Sequence, residues 1–129
     1  MDQNFDAALD SWMRMLMAAK TSYCARNYPN SHALPGRQIS FLAEFGKRNV
    51  RIVECEGQQK RGVYAFVELE TGKIMKPAGY KAPEPKRHER GNIFRPNPLE
   101  GCGPHGVEYR RGNAYAFTPE DMEAAERAR

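Results

Sequence analysis

The sequence predicts an α+β fold: a three- to four-stranded antiparallel sheet run as a meander, an N-terminal amphipathic helix, a long Pro/Gly-rich basic loop and a short C-terminal helix. Three observations carry this expectation. Residues 4–26 repeat apolar side chains at helical spacing, residues 38–76 alternate them at strand spacing between glycine turns, and residues 77–112 follow neither period.

In the first stretch, Phe5, Leu9, Trp12, Leu16, Ala19 and Tyr23 recur at alternating steps of four and three, which places them on one helix face. Asp2 or Asn4 can cap the start, and Asp6 suits the positive end of the helix dipole. Met13, Met15 and Met17 widen the apolar surface. That surface either covers a sheet or, because methionine packs adaptably, serves a partner or a homodimer through the N-terminal helix. Asn27 to Gly36 then reads as a loop, with Tyr28-Pro29-Asn30-Ser31 and Leu34-Pro35-Gly36 as turns.

Gln38–Phe45 alternates Ile39, Phe41, Ala43 and Phe45 against polar or mixed neighbours. Asn49–Glu56 sets Val50 and Ile52 against Arg51, Val53 and Cys55. Gly62–Glu70 sets Val63, Ala65, Val67 and Leu69 on one side and Tyr64 and Phe66 on the other. Gly46, Gly57 and Thr71-Gly72 supply the turns. A short fourth strand, Lys73–Lys76, must stop at Pro77, which lacks an amide donor. Pro77 to Gly112 is dense in proline and glycine, yet Ile93, Phe94, Leu99 and Val107 are core-type residues that tie it back to the sheet. Thr118-Pro119-Glu120-Asp121 gives an N-cap, a proline at the first helical position and acids in the first turn. Met122 and Ala125 offer only a thin apolar face, which predicts fraying. The expected layout is one domain over residues 1–129: helix 1–27, strands 38–77, basic loop 78–117 and helix 118–129.

The net charge of +4 is concentrated. Lys73 to Arg95 holds seven Lys/Arg and two Glu, while the remaining residues hold 13 basic and 14 acidic side chains. A concentrated basic strip with Tyr80 and Phe94 interleaved is the electrostatic footprint of a polyanion binder. Lys73, Lys76, Lys81, Lys86, Arg87, Arg90 and Arg95 can neutralise phosphates, and the aromatics can stack on bases. Lys47, Arg48, Arg51, Lys60 and Arg61 form a second cluster at hairpin ends. The alternatives are that these charges are merely solvated or that they dock on an acidic protein. Arg90-Gly91-Asn92 reads as a turn, with Arg90 otherwise suited to a bidentate phosphate or carboxylate contact.

Other chemistry is thinly supported. Cys102-Gly103-Pro104-His105 is half of a zinc site, and His88 with Cys55 or Cys24 would have to complete it. Neither metal nor cofactor is therefore expected. Glu44, Glu54, Glu56, Glu68 and Glu70 fit cross-strand pairs with Arg51 and Lys73 better than a catalytic cleft. No nucleophile–base order stands out, and an enzyme is not expected. No apolar run reaches the ~20 residues that span a bilayer, and no signal-peptide pattern opens the chain. Cys24, Cys55 and Cys102 are expected as free thiols in a reducing cytosol.

The run Val63-Tyr64-Ala65-Phe66-Val67, then Thr71-Gly72, Lys76-Pro77-Ala78, Lys81-Ala82-Pro83, Arg90-Gly91-Asn92-Ile93 and Gly103-Pro104-His105-Gly106 resembles a family of small bacteriophage proteins. Gly79-Tyr80 stands where that pattern has Ser-Trp or a similar pair. The resemblance covers the middle half of the chain and implies viral origin and a shared fold, with no catalytic residue to carry over. The resulting expectation is a phage accessory protein in the host bacterial cytoplasm. It would bind DNA or RNA non-specifically through Lys76, Tyr80, Lys81, Lys86, Arg87, Arg90 and Arg95. Alternatives are a phage protein that occludes a host enzyme or defence complex, and a virion or assembly component. Reversing Lys86, Arg87 and Arg90 to Glu is expected to abolish binding while barely moving the thermal midpoint.

Overall fold

The apolar stripe near the N-terminus becomes helix α1, Phe5–Asn27, in a computed structural model that describes residues 4–107 and 116–129. Asn4 is its N-cap, with the side chain accepting from the Ala7 amide at 3.1 Å. Leu9, Trp12, Leu16 and Ala19 of that stripe lie inside with Met15 beside them, while Phe5 and Tyr23 at its ends are half-buried. Trp12 and Met15 have no exposure, so the helix spends these residues on its own core and not on a partner; Met17 stays exposed. The expected loop after α1 includes a single helical turn, α2 (Pro29–His32), with proline at its start.

Strands β1 (Ile39–Phe45), β2 (Asn49–Glu56), β3 (Gln59–Glu68) and β4 (Lys73–Met75) form the expected antiparallel meander. A two-residue strand β5, Gly91–Asn92, joins β4, so the sheet has five strands in the order β1-β2-β3-β4-β5. The proline-rich sequence hid it because two residues are too few to show alternation. A small hairpin follows, β6 (Cys102–Gly103) with β7 (Gly106–Val107).

One face of the sheet packs on α1. Phe41, Ala43, Val50, Ile52, Ala65, Val67 and Ile74 join the helix residues in one core. Tyr64 joins them too, contrary to the simple alternation that sets it opposite Ala65 and Val67. The cause is a bulge: Ile52 pairs with Ala65 and Val53 with Val63, leaving Tyr64 as an extra residue. It turns inward beside Trp12 and Phe41 and donates to the Gly103 carbonyl at 2.6 Å. A second bulge leaves Arg61 unpaired between Gly62 and Lys60.

The last helix, α3 (Pro119–Ala128), has the capping box that its sequence promises, with Thr118 and Asp121 bonding each other's backbone amides. Its thin apolar face does not leave it loose. Asp121 is fully buried and takes hydrogen bonds from Ser22 at 2.7 Å and from both Arg26 nitrogens at 2.7 and 3.0 Å, which fastens α3 to α1.

Candidate functional site

The opposite face of the sheet carries the basic loop. After β4 the chain crosses that face and returns at β5, held by a Pro77–Pro83 bridge and by the Glu84 amide donating to the Lys76 carbonyl at 2.9 Å. The loop is ordered by its own cations. Arg51 on β2 donates to the Tyr80 carbonyl at 2.7 Å, and its guanidinium lies 4.5 Å from the centre of the Tyr80 ring. Arg87 adopts φ 53°, a region that non-glycine residues rarely occupy, and it is held there by Asn49 at 3.0 Å and Glu68 at 2.8 Å. Arg90 is almost buried and pairs with Glu84 at 2.8 Å. Arg95 pairs with Glu89 at 2.8 Å.

These pairs divide the basic residues into two groups. Arg87, Arg90 and Arg95 each meet a carboxylate within the fold. Lys81 and Lys86 are exposed on the same loop as Tyr80, which is 46 % exposed, and Lys76 is half-buried at the loop's root. Lys86, Arg87 and Arg90 therefore do not form one free surface. Converting Arg87 and Arg90 to Glu would break the loop's own ion pairs, so the expected small change in thermal midpoint does not follow.

Two carboxylates anchor the strip, and each is shared. Glu44 takes Lys60 at 2.7 Å, Arg51 at 2.9 Å and the Tyr80 hydroxyl at 3.3 Å. The hydrogen bonds from Lys60 and Arg51 hold its carboxyl down to about 2. Glu68 takes the Thr71 hydroxyl at 2.7 Å, Arg87 at 2.8 Å and Arg48 at 3.7 Å, and its carboxyl is likewise lowered, first by the Thr71 bond. One negative charge facing two cations leaves each cluster net positive. Arg48, Arg51 and Lys60 thus lie on the loop's side of the sheet, whereas Arg61 of the same sequence cluster faces the helix side with Glu56.

The zinc half-site does not assemble. Cys102 is buried, and burial pushes its thiol up to about 12. His105 is exposed and meets the Tyr23 hydroxyl at 2.9 Å. Among the described residues no group of three His, Cys, Asp or Glu could hold a metal ion, and no helix is long and apolar enough to cross a membrane. Glu44 does pair with Arg51 across the strands, as its position suggests. Glu54 and Glu56 instead face the helix side, where they border a cleft with Lys20 and Tyr23. That cleft left no signal in the sequence because its walls come from α1, α2, β1, β2, β3 and the β6–β7 turn.

No curated protein and no solved structure matches the chain. A family model does match over residues 1–115, and the chain belongs to that family, a family of unknown function (DUF7717).

Proposed function

We propose that the protein is a small phage accessory protein that binds nucleic acid non-specifically in the host cytoplasm. Contact would run through Tyr80, Lys81 and Lys86, with Lys60 and Arg48 flanking them. The observation that carries the reading is the Tyr80 ring. It is half-exposed, backed by the Arg51 guanidinium at 4.5 Å and carried on the same loop as the exposed Lys81 and Lys86, and an open aromatic among cations is what sequence-tolerant strand binders use. Arg87, Arg90 and Arg95 act by holding the loop in shape, which lowers the entropy lost on binding. Viral origin rests on the motif resemblance from Lys76-Pro77-Ala78 to Arg90-Gly91-Asn92-Ile93.

Fluorescence anisotropy with labelled single-stranded DNA, duplex DNA and RNA across a salt series tests the proposal. Affinity should fall linearly with salt on logarithmic axes. Lys81→Glu with Lys86→Glu should cut it by at least about tenfold and flatten the slope by about one to two contacts. Tyr80→Ala should weaken single-strand binding by about 1–3 kcal/mol and duplex binding less. Absence of binding at low salt, or a double variant that binds like the parent, overturns the reading and leaves an acidic protein surface as the partner to seek.

A further inference from the structure

The cleft on the helix side has a volume of about 620 Å³, within the range of small-molecule sites. Its mouth is basic and one wall is aromatic. Arg61 on the second bulge of β3 pairs with Glu56 at 2.6 Å, and Arg37 pairs with the other oxygen of the same carboxylate at 3.4 Å. Both arginine side chains are more than half exposed, at 56 % and 54 %, while Glu56 is mostly covered. One carboxylate cannot neutralise two guanidinium groups, so the mouth presents planar donors with a net positive charge. That matches the planar, bidentate geometry of a carboxylate or phosphate.

The wall is prearranged. The Tyr23 ring meets His105 edge-on at 5.4 Å and Tyr28 edge-on at 6.1 Å, and the Tyr23–His105 hydrogen bond fixes two of the three. Tyr28 leaves half its surface open. Deeper in, Lys20 is nearly buried. Its ammonium donates to the Pro104 carbonyl and lies 3.5 Å from Glu54. An ammonium has three donors, so it can also meet a polar ring edge.

We propose that this cleft binds a planar aromatic ring that carries one anionic group, of nucleoside-monophosphate size. The ring stacks on the exposed Tyr28 and meets Tyr23 at an angle, and the anion bridges Arg37 and Arg61. A nucleoside monophosphate and an aromatic carboxylate share this chemistry. The site lies across the sheet from Tyr80, so it stands apart from the proposed strand-binding surface.

Isothermal titration with the full chain decides the matter. The probes are AMP, GMP, CMP, UMP and indole-3-acetate, with adenosine and inorganic phosphate as half-ligands. At least one intact planar anion should bind with a dissociation constant below about 1 mM, and the half-ligands should bind about tenfold more weakly or worse. Which intact probe binds separates nucleotide from carboxylate. Arg37→Gln with Arg61→Gln, and separately Tyr28→Ala, should each weaken binding by about tenfold; all three positions are exposed, so the fold should survive. Lys81→Glu with Lys86→Glu should change nothing here, whatever it does to strand binding. No saturable binding of any planar anion at about 5 mM, or equal binding by the arginine double variant, overturns the proposal.

Discussion

Asp121 is sealed from solvent and still charged. Burial works against the carboxylate, but hydrogen bonds from Arg26, Ser22 and the Thr118 amide outweigh it and hold the group down to about 2, against 3.8 when unperturbed. A lowered native value means the stabilisation is complete above pH 3.8 and is lost as pH falls through about 2. Asp121→Asn should therefore lose about 2 kcal/mol in urea denaturation at neutral pH, with the gap to the parent closing toward pH 2. The thiols offer a second check. Cys102 is buried with its thiol raised to about 12, and burial also raises Cys24. Thiolate is the reactive form, so Ellman's reagent at pH 8 should spare Cys102 in the native protein and reach it only after unfolding. A fast third equivalent under native conditions would contradict the burial. The core stripe of α1 was legible at this scale because each residue's period fixed its face. Tyr64 was not, since a bulge moves one residue across the sheet without leaving any mark in the hydrophobic pattern.

At the scale of elements, local chemistry announced starts and stops better than it announced attachment. The Thr118-Pro119-Glu120-Asp121 signal located α3 correctly, yet the sequence showed only Met122 and Ala125 as its apolar contacts and so predicted a loose helix. What pins it is polar: one aspartate that closes the cap and also reaches Ser22 and Arg26, residues 99 and 95 positions away. No sequence period encodes such a contact. Thr118→Ala should cost about 1 kcal/mol and raise amide exchange in the first turn of α3 before exchange rises in β2 or β3. Equal acceleration everywhere would show that the cap matters to the whole fold and not to this helix. The loop after β4 teaches the same lesson. Its prolines marked the absence of a ladder, but its order comes from Arg51, Arg87 and Arg90 reaching Tyr80, Glu68 and Glu84. Gly101, at φ 89°, lets the returning chain lie against β5, where a Cβ would collide with the Arg90 carbonyl.

For the molecule as a whole, the uneven charge was the most visible feature of the sequence, and its division of labour was the least. Composition counted seven cations between Lys73 and Arg95. It could not tell that Arg87, Arg90 and Arg95 meet carboxylates while Lys81 and Lys86 face outward, because that depends on which glutamates the sheet brings beneath the loop. The sheet also keeps two chemistries apart. Glu44, Arg51 and Lys60 point to the loop side, and Glu54 and Glu56 point to the cleft side, as alternation along β1 and β2 requires.

The two bulges of β3 have a consequence for how this hairpin can change length. Each one reverses the parity of the strand, so together they cancel: odd-numbered residues face α1 at Ala65 and Val67, an even-numbered one at Gly62, and an odd-numbered one again at Gln59. Each bulge is therefore a spare residue: deleting Tyr64 or Arg61 alone would leave the neighbouring pairs, Val53 with Val63 and Cys55 with Lys60, in register, and the tip would keep its orientation. A deletion at Arg61 should consequently strip the cleft mouth of one guanidinium while Lys60 stays beside Glu44, and a deletion at Tyr64 should cost the packing of its ring without turning the hairpin over.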